Sequence, residues 1–325
     1  MSGLASSGYI DIGANLLDEK FSGVYFGTKR HEEDRDAVLT RALAPEGPCR
    51  RVICTSGTID DSKETLTFTE RSPLLYTTCG VHPTRATQGC EGMLEVVKEN
   101  WLGVGGKGVG DEGVGGGGRV VAIGELGLDY DRLQFADKEA QHTTLLAQLA
   151  VNKELIGMGI TLPLFLHSRS CGLDLHSILE DHRDSWTTGV VHSFDDTFEV
   201  AEKYLELGLY IGVNGCSFKT EDNVEVVKKL PMDRLLLETD APYCDIRQTH
   251  AGHQFVKTTF ATVKEKKWIP NAMVKNRMEP CMIAQVAEVV SGAKGLELEQ
   301  VKQTCWDNSL RLFFPNEKKC KNNES

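Results

Sequence analysis

A chain of 325 residues with a formal net charge of −11 and ten scattered cysteines is narrowed before any motif is read. The acidic balance excludes a protein that grips nucleic acid over its general surface, and it suits a local groove with its own cations or a divalent ion that supplies positive charge. No apolar run approaches ~18 residues, no Cys-x-x-Cys pair occurs, and the opening MSGLASSGYI has neither a basic nor an apolar leader region, so the expectation is no membrane contact, no signal peptide, and reduced thiols in the cytoplasm and/or nucleus.

Short apolar runs alternate with longer amphipathic stretches along the chain. The runs are YIDIG from Tyr9, RVICTSG from Arg51, LLYTTCGVHP from Leu74 and RVVAIGELGLD from Arg119. LPLFLHS from Leu162, GVVHSF from Gly189, LYIGVNG from Leu209 and RLLLETDAP from Arg234 complete eight. They are continuous instead of alternating, which reads as strands buried on both faces of a parallel sheet. The stretches between them read as helices. DDSKETLTFTE offers Asp60 and Asp61 as N-caps. DKEAQHTTLLAQLAVNKELIG sets Leu145, Leu149 and Leu155 on one face and ends at Gly157 as a C-cap. Eight strands alternating with helices predict an α/β TIM (β/α)8 barrel over residues 9–315, with an open doubly wound sheet as the alternative.

Residues 103–118, GVGGKGVGDEGVGGGG, contain a Gly-x-Gly-x-x-Gly match. The match precedes a strand instead of following one, and Lys107 is followed by Gly108, so no nucleotide-binding loop is read. The segment is expected to be a flexible insertion on the face away from the active-site mouth, with flexible tails at residues 1–8 and 316–325.

In a barrel all strand C-termini converge on one mouth. There the third run delivers His82, the fourth, read as a strand over Val120 to Gly124 that then breaks at Gly124 and Gly127, delivers Glu125, the fifth His167, the sixth His192, and the eighth Glu238 and Asp240. A lone polar residue at a strand end is usually solvated or structural. Two imidazoles with Glu and Asp form a mixed nitrogen–oxygen set suited to Zn2+, Mn2+ or a similar ion, the alternative being a hydrogen-bonded polar plug.

Six motifs occur in order: DIGANL at Asp11, GVHP at Gly80, GELGLD at Gly124, FLH at Phe165, VVHSF at Val190 and ETDAP at Glu238. Together they resemble the TatD family of metal-dependent deoxyribonucleases from about Tyr9 to Pro315. DRLQF, HSFD, YIGVNGCSFKT and THAG resemble its eukaryotic branch. The resemblance implies a metal-dependent hydrolase of amidohydrolase type that cuts the phosphodiester bonds of DNA, often as a 3′→5′ exonuclease. It carries the metal ligands to Glu125, His167, His192 and Asp240, and associates the site with Mg2+, whereas the two His ligands favour Zn2+ or Mn2+.

Many relatives hold a His-x-His pair where this chain has Gly13 and Asn15. A second ion would then be held weakly, with Asp240, Asp11 and Asn15 as candidate second-metal or substrate contacts. The family's Arg-Asn-Glu-Pro is also altered, to RMEP at Arg277. Asp240 is the expected general base, and His82 the expected stabiliser of phosphoryl charge or donor to the leaving oxygen. Arg85 and Arg169 are candidates for substrate phosphate. Lys264, Lys266 and Lys267 are further candidate cations, and Trp268 a candidate stacking residue. DNA is the expected substrate. The rival readings are an amide or ester hydrolase on the same barrel, including one acting on an ester of RNA, and a non-catalytic metal-binding barrel.

Overall fold

The computed structural model describes residues 8–102 and 118–315. The expected glycine-rich insertion, apart from Gly118, and the expected tails, apart from Gly8, lie outside the described residues.

All eight expected strands form: β1 (Tyr9–Ala14), β2 (Cys49–Cys54), β3 (Leu75–Cys79), β4 (Val120–Asp129), β5 (Leu164–Arg169), β6 (Gly189–Val191), β7 (Tyr210–Val213) and β8 (Leu235–Leu237). Each pairs in parallel with the next, so the sheet order is the chain order. Ala14 at the end of β1 forms a parallel bridge to Ala241 just past β8. That bridge closes the sheet into a TIM barrel and removes the two free edges of a doubly wound sheet.

Seven crossovers carry α1 (Arg35–Leu43), α2 (Ile59–Phe68), α3 (Met93–Leu102), α4 (Lys138–Gly157), α5 (Gly172–Asp181), α6 (Phe198–Glu206) and α7 (Glu221–Lys229); α8 (Ile283–Lys294) and α9 (Leu298–Phe313) follow β8. Leu145, Leu149 and Leu155 of α4 are buried as expected. Inside the barrel, Ile10, Ile12, Ile53, Phe165, Val190 and Leu236 join one cluster with Phe314, which packs edge-on against Tyr76 with Arg51 over its ring. Among the described residues no helix is long and apolar enough to cross a membrane.

Three local expectations need correction. Thr58 caps α2 by accepting from the Asp61 N–H, and Asp60 and Asp61 lie in the first turn, where their charge still favours the helix start. In α4 Gly157 is the last helical residue; Met158 caps, and the left-handed glycine that releases the chain is Gly159 at φ +82°.

The third correction concerns the site itself. β4 does not stop at Gly124 but runs ten residues to Asp129. Gly124 and Gly127, both at φ +147°, carry it through instead of ending it. The pairing with β5 skips between Gly124 and Leu126. Glu125 is the extra residue of this bulge, and its N–H turns to the Ser56 carbonyl at 3.2 Å.

Candidate metal centre

The bulge directs a buried carboxylate into a cluster of imidazoles. Glu125 Oε1 lies 2.7 Å from His167 Nδ1 on β5, 2.7 Å from His192 Nε2 just past β6, and 3.3 Å from His82 Nε2 past β3. One ligand atom from each of Glu125, His167 and His192 falls within 4.8 Å of the others, and all three residues are buried. Burial opposes charge on every member, yet opposite charges win for three of them. Burial pushes Glu125 up, but His192 and His82 hold its carboxyl well below the usual range. His167 rises against burial through Asp129 and Glu125, and His192 rises well above its usual value through Glu125 and Glu238. His82 is pushed down by burial. Crowded nitrogen and oxygen donors around one carboxylate oxygen fit a divalent cation, which would replace the protons this cluster otherwise needs.

Asp240 sits at φ +52° just past β8 and lines the same cavity of about 730 Å³. Its Oδ1 accepts from Asn15 Nδ2 at 2.8 Å, and its Oδ2 accepts from the Cys244 thiol at 3.3 Å. Burial raises its pKa to about 6 against the pull of His192.

Residues 10–314 match the family model described as TatD related DNase. The chain belongs to that family. It is 39% identical to the Deoxyribonuclease Tat-D of Schizosaccharomyces pombe, over 94% of this chain and 95% of the relative. The crystal structure of a TatD family hydrolase from Entamoeba histolytica superposes with a TM-score of 0.84 at 34% identity, over 95% of this chain and 99% of that one. A bacterial relative from Erwinia billingiae, named 3'-5' ssDNA/RNA exonuclease TatD, is 29% identical over 93% of this chain and 98% of its own length.

In this TatD barrel the absent His-x-His pair has a structural counterpart. A Cβ on Gly13 would lie 3.0 Å from Glu238 Oε2, so Glu238 fills the space that a side chain there would take. Glu238 Oε2 and His192 Nδ1, 3.6 Å apart, are both buried without a hydrogen-bond partner among the described residues. Asn15 lines the cavity; its Oδ1 accepts from Thr55 Oγ1 at 2.6 Å, and its Nδ2 donates to Asp240 and orients it. Asp11 is not brought to the cavity. Its carboxylate accepts from Thr239 N–H and Oγ1 and from the Gly13 N–H, bonds that tie β1 to the segment after β8.

Arg85 and Arg169 both line the cavity, and Arg169 pairs with Asp195 at 3.6 Å. Arg132 and Lys219 join them at the wall, as does Phe135, which is 60% exposed. Arg132 and Phe135 lie in the motif DRLQF and Lys219 in YIGVNGCSFKT, but no role was read for any of the three from the sequence. Lys264, Lys266, Lys267 and Trp268 do not line the cavity. Trp268 stacks on His31 at 4.8 Å between ring centroids and donates to the Ala272 carbonyl. Arg277 of RMEP is buried in a structural network with Asp34 and Glu279, which Arg41 also engages.

The residue missed most plainly is Asp129. It is fully buried, with Oδ2 at 3.1 Å from His167 Nε2 and 3.0 Å from Arg132 Nη1. A carboxylate on the far nitrogen of a ligand imidazole fixes the ring and raises its basicity. The signal was a second carboxylate, Asp129, four residues after Glu125 in GELGLD.

Proposed function

We propose that residues 9–315 work as one divalent-metal-dependent deoxyribonuclease that removes nucleotides from the 3′ ends of DNA. The observation that carries this reading is the convergence of Glu125, His167 and His192 within 4.8 Å at the floor of a cavity that Asp240 also lines. Glu125, His167 and His192 would hold the ion, with Asp240 beside them. Bound there, a divalent ion supplies positive charge that acidifies water and neutralises the phosphodiester. The family habit is Mg2+, and the imidazoles suit Zn2+ or Mn2+.

The protein's own groups do the remaining chemistry. Asn15 holds Asp240 Oδ1, which leaves Oδ2, engaged by the weak thiol donor of Cys244, to take the proton of the attacking water. The Thr84 N–H donates to His82 Nδ1 at 3.1 Å, which places the His82 proton on Nε2. Burial keeps that ring neutral, so Nε2–H donates to the phosphoryl or leaving oxygen as charge develops. Arg85 and Arg169 neutralise the neighbouring phosphates, with Arg132 and Lys219 extending the cationic wall. RNA is the second substrate reading, carried by the name of the Erwinia billingiae relative. The described cysteines are all free, in keeping with a cytoplasmic or nuclear setting.

The test uses the full chain after chelation, given back Mg2+, Mn2+ or Zn2+. Single- and double-stranded DNA labelled at the 3′ or 5′ end, circular single strands and 3′-labelled RNA are compared. Metal-dependent release of the 3′ label as mononucleotides is expected. Equal cutting of circles would replace the exonuclease reading, and no turnover with any ion would sink the nuclease.

A further inference from the structure

Cys216 and Cys244 stand on the loops after β7 and β8, and both line the cavity of the metal centre. Their sulfurs are 2.7 Å apart. The two loops are pressed together at this point, since a Cβ on Gly215 would meet the Cys244 carbonyl oxygen at 1.9 Å. The Cys244 thiol also donates to Asp240 Oδ2 at 3.3 Å. A thiol pair is thus built into the wall, open to small solutes in the cavity and bonded to the carboxylate that takes the proton.

We propose that Cys216 and Cys244 are a modification site: a hydroperoxide joins them in a disulfide that suppresses hydrolysis, and a dithiol restores it. This rests on the reading of Asp240 given above. The chemistry balances with a hydroperoxide as the only oxidant. One sulfur attacks the peroxide; the O–O bond breaks, that sulfur becomes a sulfenic acid, and water or an alcohol leaves. The second sulfur attacks the sulfenic sulfur; the S–S bond forms, the S–O bond breaks, and the oxygen leaves as water with the second thiol proton. Two thiols give up two electrons, and the peroxide accepts them.

Two consequences fall on Asp240. The disulfide has no S–H, so Oδ2 loses its protein donor. The segment from Asp240 to Cys244 also becomes tied to the β7 loop, which fixes a carboxylate that must track the attacking water. A displacement of about 1 Å at such a group is enough for a loss on the order of 100-fold.

The experiment takes the full chain in Mg2+ buffer, treats it with hydrogen peroxide and removes the excess with catalase; turnover is read on one portion, and the thiols of a second portion are blocked with N-ethylmaleimide for mass analysis alone. Peptide mass spectrometry is expected to find Cys216 joined to Cys244 with the loss of two hydrogens. Turnover of DNA is expected to fall at least tenfold and to return with dithiothreitol. Cys216→Ser should form no cross-link and keep its turnover through the same treatment. Recovery of both cysteines as maleimide adducts after oxidation would overturn the proposal. So would a cross-link without loss of turnover, or equal inactivation of Cys216→Ser. A reduced chain with no turnover of DNA overturns the nuclease reading and the regulatory half with it, while the cross-link is still decided by mass alone.

Discussion

Asp240 and His192 reach the same cavity with different partners, and their substitutions should part accordingly. His192 Nε2 is one of two imidazole nitrogens 2.7 Å from Glu125 Oε1, so His192→Ala removes one of the three donors of the group Glu125, His167 and His192. We expect this variant to lose the ion. Asp240→Asn keeps all three of those donors and removes the carboxylate proposed to accept the proton; it should retain the ion and lose about 10²–10⁴-fold in turnover. Metal analysis of both purified variants, beside their turnover, checks the pair, and near-normal activity of Asp240→Asn would remove its role. Asp11 gives a pH test away from the cavity. Burial raises its pKa to about 8, against the lowering effect of bonds from Thr239 and Gly13. Unfolded, the group titrates near ~4. The folded chain therefore holds a proton between these values that the unfolded chain has released. The resulting stability is complete below about pH 4 and is lost as pH rises through about 8. Asp11→Asn should flatten the dependence of melting temperature on pH across that window, and an unchanged slope would show that Asp11 is ionised when folded.

At the scale of elements, β4 carries the site. Its glycines are required by contact as well as by φ. A Cβ on Gly127 would lie 2.0 Å from the His167 carbonyl oxygen, and one on Gly124 would lie 2.3 Å from that of Phe165. Gly127→Ala should therefore cost more than ~1 kcal/mol of stability and push β4 from β5, separating Glu125 from His167. Thermal unfolding and metal content should fall together; a variant that melts normally and keeps its ion would contradict the bulge. The glycine-rich segment lies outside the described residues, but its flanks are described. Its flanks are Leu102 closing α3 and Gly118 leading into β4, on the side where strands begin. Replacing residues 103–117 by a short linker should leave turnover within roughly threefold, a change below ~1 kcal/mol on the barrier. A folded deletion without activity would place the segment at the mouth.

For the molecule as a whole, the ion should act as a staple. Glu125, His167 and His192 come from three successive strands, so a ligand binding all three binds only the folded chain. At 100 times its dissociation constant it stabilises by about 2.7 kcal/mol. Chelation should lower the melting temperature, and metal should restore it in a concentration-dependent way. Melting temperatures that do not respond to metal would mean that the centre is not a binding site.

The repeat of continuous apolar runs, each bounded by Gly, Pro or a polar residue, was sufficient for the eight strands and their order, because burial on both faces leaves little choice of residue. His82, His167 and His192 were legible for the same reason: an imidazole after an apolar run is a costly choice without a partner. Other features depend on atoms brought together from distant parts of the chain. Glycines 124 and 127 looked like a strand's end, since only the neighbouring β5 backbone shows that they let it pass close by. Asp129 carried no role in the sequence, because its partner His167 lies 38 residues on. The space opened by Gly13 is filled by Glu238 and the Cys216 thiol touches Cys244, contacts that exist only once the barrel has closed. Strand identity is a local consequence of burial pattern, whereas the partners of a buried polar atom are set by closure, which no local pattern encodes.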